Sequence, residues 1–441
     1  MTVPVYRGKF GIAQAERLLW RAGFGPRPGD AKALSKKGLK GAVQSLTHPP
    51  AEELTGPAPT DDRGDAIAPY DAVGHDHLWW LDRMVRTNQP LVEKMTLVWH
   101  DWFATSNQGV KSQRQMLDQN ALFRGNWLGS FEQLLLGVTK DPAMLVWLSG
   151  NLNTKVSPNE NYGRELMELF TLGADRPGGY TEQDVREQAR ALTGWRNNRS
   201  RGMGNYNFRY EPNLHDPGTK VIFGKSGAFD WQDSCRLCLA HRNHASFFIR
   251  KLWDYFVPVA PSKATQRALE KLYKAHYEVR PVVSAILKHP QLYNGPRMVK
   301  PPVVYVAGLL RGLGRGVDTA QWARLSGLAG QRLFYPPNVA GWDETRWLDT
   351  ATFRGRWQLA ALALKPYALD PKKTTSPPSA TELLARAQKA LGKPVLTAAT
   401  RGVLLAFARK ALTGATDPST NVMVENALRQ LIAISPEVQT A

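Results

Sequence analysis

Apolar residues recur at helical spacing over most of the chain. Residues 11–23 and 29–47 read as short helices divided by Gly23-Phe-Gly-Pro-Arg-Pro-Gly29. A further helix follows from Asp76 to about Thr87, and Pro90 opens another that ends near Ala104. That helix carries an apolar stripe of Leu91, Met95, Val98 and Trp102, with Glu93, Leu97 and His100 on another face. Residues 111–138 hold one or two more, Asp141-Pro142 starts another, and Thr181 caps one that runs through Thr193.

The best-marked pattern lies at Ser157-Pro-Asn-Glu-Asn-Tyr-Gly-Arg-Glu-Leu-Met-Glu-Leu-Phe-Thr-Leu-Gly173. Ser157 suits an N-cap, Pro158 the first turn, Glu160 a capping box and Gly173 a left-handed stop. Tyr162, Leu166, Leu169 and Phe170 form one apolar face, and Glu165 and Glu168 leave it together with Asn161 beside them. The chain is expected to be organised around this helix.

Three stretches break the periodicity. Residues 48–75 are rich in Pro, Asp and Gly and read as a long loop. Residues 195–230 and 331–357 are irregular and aromatic, and such long connections in a helical protein tend to carry function. The fold class is therefore mainly α, a large multi-helix domain with long irregular loops and little sheet. The main domain is expected over 10–365 and a Pro-rich linker over 366–379. A small C-terminal helical part over 380–436 packs on it, broken at Gly392-Lys-Pro394.

Composition narrows the class. No run of 18 apolar residues exists, so no membrane span is expected, and the basic first 25 residues hold no signal-peptide core. The compartment is cytoplasmic by default. The net charge of +19 points to a polyanionic partner or a merely basic surface; nucleic acid is not favoured, because no nucleic-acid fold signature is present. The two cysteines, Cys235 and Cys238, precede His241 and His244 at steps of three, which fans the four side chains over half a helix and closes no tetrahedron. No metal and no cofactor is expected. G-x-S-x-G, P-loop and H-E-x-x-H patterns are missing, which disfavours serine hydrolase, nucleotide and zincin chemistry.

The candidate chemistry rests on carboxylates and histidines. Glu165 and Glu168, one turn apart, repel each other, and a raised carboxyl pKa is what a general acid needs. His100 is a possible partner, although its setting of Trp99, Trp102 and Phe103 also suits a core histidine. Asn161, Trp195, His215, Asp216, Asn338 and Trp342 are the expected substrate contacts, with the two long loops closing over the 157–173 helix. Arginines of these loops, Arg346, Arg354 and Arg356 among them, would neutralise the polar face of that helix.

Several motifs together resemble one family. They are Arg17-Leu-Leu-Trp-Arg-Ala-Gly-Phe-Gly25, Trp99-His-Asp-Trp-Phe-Ala-Thr105, Asp141-Pro-Ala-Met-Leu145, the 159–173 helix, Tyr180-Thr-Glu-Gln-Asp-Val185, Ala191-Leu-Thr-Gly-Trp195, His215-Asp216 and Pro336-Pro-Asn-Val-Ala-Gly-Trp342. Over nearly its whole length the chain is similar to the bacterial domain-of-unknown-function 1800 family. The resemblance implies a predominantly helical domain and no particular activity. Family members often carry a second histidine where this chain has Trp102, and they are often exported. Two functional classes stay open: a hydrolase on a polymeric or carbohydrate-like substrate, working through a carboxylate and histidine site, and a non-enzymatic binding or assembly protein for a polyanion; a metal-dependent enzyme using the same carboxylates is a third. Whether the protein is an enzyme, its oligomeric state and its ligand (acidic or sugar-like) are not fixed by the sequence.

Overall fold

The computed structural model describes residues 2–174, 177–274, 276–370, 379–413 and 418–441. Helices dominate, and the only sheets among the described residues are two antiparallel pairs, Trp195–Ser200 with Gly204–Tyr210 and Lys220–Ile222 with Lys225–Gly227. Both pairs lie in the irregular 195–230 stretch, where short strands had room to form, and make two hairpins within it. The core falls into three clusters. The largest gathers Leu18, Leu91, Met95, Trp99, Trp102, Phe131, Phe170, Phe248 and Ile286. A second gathers Trp80, Leu81, Leu97, Tyr305, Trp322, Phe334 and Leu359. The third joins Leu383, Leu384, Leu404, Leu428 and Ile432 of the C-terminal helices.

The Pro90–Trp102 helix stands between the first two clusters and is buried at every position except Asp101. An element apolar nearly all round belongs in the interior, so each charged residue on it must find a partner or a cavity. Glu93 finds three partners: Arg124 reaches it with Nε at 2.7 Å and Nη2 at 2.8 Å, Arg83 Nε at 3.2 Å and Trp80 Nε1 at 2.8 Å. Those donors hold its carboxyl below the usual range even though burial alone would raise it.

The 157–173 helix is shorter and less regular than expected. Ser157 pairs with Thr154 in an isolated bridge and caps nothing; the helix starts at Asn161, with Asn159 Oδ1 accepting the Asn161 N–H at 3.0 Å. From Leu166 to Thr171 it widens into a π-helix, ending before Gly173 at φ +85°. Its last carbonyls go to side chains: Lys251 Nζ donates to Leu169 O at 3.0 Å, Trp102 Nε1 to Phe170 O at 3.1 Å, and His244 Nδ1 lies 2.9 Å from Thr171 O.

Elsewhere the helix signals hold. Thr181 and Asp184 close a capping box before Glu182–Ala191, Asp141 caps Pro142–Trp147, and the C-terminal helices Ala380–Ala390 and Ala398–Leu412 divide around Gly392. Of the linker expected over 366–379, residues 371–378 lie outside the described residues. The chain returns to the main body at its end, where Met298 and Ala441 exchange backbone hydrogen bonds and Arg356 Nη1 donates to Gln439 Oε1 at 2.9 Å.

Candidate functional site

The residues selected from the sequence gather in separate places: His100 with Trp342, and Trp195 with His215 around Tyr210. His100 is buried in an aromatic cage of Trp80, Phe123, Phe334 and Trp342, and its Nε2 accepts the Phe334 backbone N–H at 3.1 Å. Burial drives its pKa down to about 3, which keeps the ring neutral and able to accept. His77 does the same for the neighbouring Leu333 N–H, also at 3.1 Å and also with a pKa near 3. The two histidines fix the start of the 331–347 loop, where Phe334 adopts φ +65°.

Glu165 and Glu168 are half-buried on the 161–171 helix. Desolvation and then Glu168 raise the Glu165 pKa, while Tyr180 Oη donates to Glu168 Oε2 at 3.3 Å. Arg164, one candidate to neutralise them, instead pairs with Glu182 at 2.8 Å and Glu160 at 3.1 Å. Asn161 is exposed. His215 Nδ1 lies 3.1 Å from both Thr193 Oγ1 and Thr193 O, and Arg190 Nε donates to Asp216 Oδ2 at 2.7 Å, so both residues dock the hairpin segment onto the Glu182–Ala191 helix. Trp195 is buried edge-on against Tyr210 and Trp231. Asn338 is exposed, and its Oδ1 accepts the Ala340 N–H at 2.9 Å, bending the loop towards Trp342. Arg356 is buried among carbonyls of Lys300 and Trp347.

The best-formed cleft lies away from the pocket expected between the 157–173 helix and both long loops. A cleft of about 250 Å³ is lined by Trp342 but by none of Glu165, Glu168, His100 or His215. Its walls come from six places: Trp20 and Arg21 of the first helix; Lys94 and Asp101 of the Pro90–Trp102 helix; Lys251, Asp254 and Tyr255 at the end of His244–Asp254; the 298–304 segment with Lys300; Trp342, Glu344 and Trp347 of the 331–347 loop; and Ala441. Lys94 and Asp101 are seven residues apart, two helical turns, so both face the cleft from one side of the buried helix.

Asp101 ties the cleft together. Its Oδ2 accepts the Tyr255 hydroxyl at 2.7 Å and its Oδ1 accepts the Trp342 N–H at 3.0 Å. The loop approaches so closely because Gly341 lies at φ +92°, and a Cβ there would run into the Asp101 carboxylate. Burial raises the Asp101 pKa against the opposing pull of those two donors and of Lys251 and Lys94. Glu344 stands at the rim; desolvation, then Asp101, Asp254 and Asp343, push its carboxyl up. Burial brings Lys94 and Lys251 down to about 8.

Sequence reading missed Lys94, Asp101, Lys251, Tyr255 and Glu344. The available signal was the pair of charges seven apart inside an otherwise apolar helix; nothing local announced that other segments would meet them. Among the described residues no group of three or more His, Cys, Asp or Glu side chains is placed to hold a metal ion. Cys235 and Cys238 are buried free thiols next to Thr139 and Gln188, and His244 is turned away to Thr171 and Tyr273. Among the described residues no helix is long and apolar enough to cross a membrane.

No curated protein and no solved structure matches the chain. One family model does, and it covers residues 17–440. The motifs that build the cleft and its supports lie inside that span, from Trp20 and Arg21 to Trp347. By that match the chain belongs to the family described as "Protein of unknown function (DUF1800)".

Proposed function

We propose that the cleft is an active site and that the protein is a hydrolase of carbohydrate-like substrates, with Asp101 and Glu344 as its working carboxylates. The observation that carries this reading is their sharing of one tryptophan-lined cleft in unlike surroundings. Glu344 has the environment of a proton donor: desolvation and three neighbouring carboxylates favour its protonated form. Burial raises the Asp101 carboxyl as well, but a hydroxyl, a backbone N–H and two lysines oppose that shift and favour its charged form. In hydrolysis Glu344 gives its proton to the departing oxygen while Asp101 takes one from water, or attacks the sugar carbon itself; a pair of carboxylates flanking the bond serves either course. Trp20, Trp342 and Trp347 supply flat apolar faces of the kind that hold sugar rings.

The test is turnover of a panel of chromogenic aryl glycosides and soluble polysaccharides by wild type, Asp101→Asn and Glu344→Gln. Either substitution should cost about 10²–10⁴-fold in kcat/KM with the fold retained. No hydrolysis by wild type across the panel, or full activity in Glu344→Gln, overturns the reading.

A second reading, a non-enzymatic binding protein for a polyanion, is favoured by the net charge of +19. Binding of that kind falls steeply with salt and survives both substitutions.

A further inference from the structure

We propose that the cleft recognises a carboxylate on its ligand through Lys94, so that the substrate class is an acidic sugar of the uronic type. This rests on the cleft being the substrate site, and it names what the substrate must carry.

Four cations line the cleft: Arg21, Lys94, Lys251 and Lys300. Three of them are spoken for. Arg21 donates to Phe256 O and Ala441 O, each at 2.7 Å, and to Pro296 O at 3.2 Å. Lys251 donates to Leu169 O and lies 4.6 Å from the centre of the Trp102 ring. Lys300 donates to Val438 O at 2.7 Å and sits 3.5 Å from the centre of Trp20. Lys94 is different. It is 6% exposed, it lines the cleft, and among the described residues it has no hydrogen-bond partner and no ion pair. Asp101 and Glu344 act on it only through their charge, against Arg21.

Lys94 is 6% exposed, and its ammonium, with three donors and no protein acceptor among the described residues, is open to an acceptor supplied from the cleft. The acceptor fits only from the cleft, because the helix bearing Lys94 is buried on its other sides. Three acids, Asp101, Asp254 and Glu344, share the cleft with Lys94. One uncommitted ammonium among them matches a singly charged carboxylate better than a phosphate dianion, which the acids would repel more strongly. The three tryptophans match the apolar face of a pyranose ring, which a simple organic acid lacks. At about 250 Å³ the space suits one sugar-sized group rather than a long chain.

The experiment measures binding, so it needs no turnover. The full chain is titrated with glucuronate, glucose, acetate and inorganic phosphate, followed by tryptophan fluorescence, in wild type, Lys94→Met, Lys94→Arg and Glu344→Gln. Glucuronate should bind at least about tenfold tighter than glucose or acetate, a difference of ~1.4 kcal/mol. Lys94→Met should erase the preference over glucose, Lys94→Arg should keep most of it, and Glu344→Gln, which removes a like charge from the cleft, should bind glucuronate no more weakly than wild type. In wild type the preference should fade as pH rises through about 8, where Lys94, facing Arg21, Asp101 and Glu344 with Lys251 and Asp254 across the cleft, loses its proton.

Equal binding of glucose and glucuronate, acetate as good as glucuronate, or phosphate better than it overturns the assignment, as does a preference that survives in Lys94→Met. If Lys94→Met does not fold, Lys94→Gln takes its place, and a preference that survives in it overturns the assignment. Glucuronate binding without any hydrolysis leaves the acid site standing and sinks the hydrolase; hydrolysis of neutral glycosides with no glucuronate preference does the reverse.

Discussion

His100 shows how the fold engages a residue with catalytic chemistry. Its acceptor nitrogen is spent on the Phe334 N–H, and its ring fills an aromatic cage. Replacing it by Phe should keep the packing but strand that N–H, at a cost of about 1–3 kcal/mol by chemical denaturation. No acidic limb of a pH–rate profile near neutrality should move. Glu93 is a sharper case. Glu93→Gln leaves Arg83 and Arg124 facing a neutral amide in the interior, so stability should drop by about 3–5 kcal/mol.

Lys94 makes a prediction of opposite character. Its pKa in the folded protein, about 8, lies below its value of about 10.5 in an unfolded chain. Between those values the unfolded chain holds more protons, so the melting temperature without ligand should gain a rising contribution from pH 8 towards 10.5. Lys251 acts in the same direction. Stabilisation by an anionic ligand should run the other way and shrink over the same interval, because it needs the ammonium. Thermal melts with and without glucuronate across pH 7–10 check both signs.

At the scale of elements, most helix bounds could be read from caps and periodicity, because those signals are local. Thr181, Asp141 and the Gly392 break all do what their residue types dictate. Ser157 failed as a cap because the chain before Asn161 is held in a bridge with Thr154. The π-helix was illegible for a different reason: its widened turn depends on Lys251, Trp102 and His244, which arrive from distant segments to take the freed carbonyls. The cleft was hidden in the same way. Lys94 and Asp101 are visible as charges in an apolar helix, yet only the Gly341 approach turns Asp101 into the anchor of a site. Gly341→Ala should therefore push the loop off Asp101, lower kcat/KM by about tenfold or more, and leave the far-UV circular dichroism unchanged. An unaltered kcat/KM in that variant would show that the loop's approach is irrelevant to function.

The whole molecule is two cores divided by one buried helix, with a third, C-terminal cluster packed alongside. The helix that best advertised itself in the sequence is peripheral to the cleft, while the dividing helix supplies both the stabilising Glu93 cluster and the Lys94 and Asp101 pair. Its place between the cores explains why: a side chain on it faces either packed interior or the cavity where the cores part. The mainly helical class and the family could be read from pattern and motif, because both are spread over the chain. The site depended on where separate segments meet.

The central claim is that chemistry belongs to the cleft and not to the Glu165 and Glu168 pair. Turnover of a soluble polyuronate by wild type, Glu344→Gln and Glu165→Gln, each checked for native circular dichroism, tests it most directly. The account predicts a loss of about 100-fold or more in Glu344→Gln and a change within about twofold in Glu165→Gln. Activity lost in Glu165→Gln and kept in Glu344→Gln would contradict it.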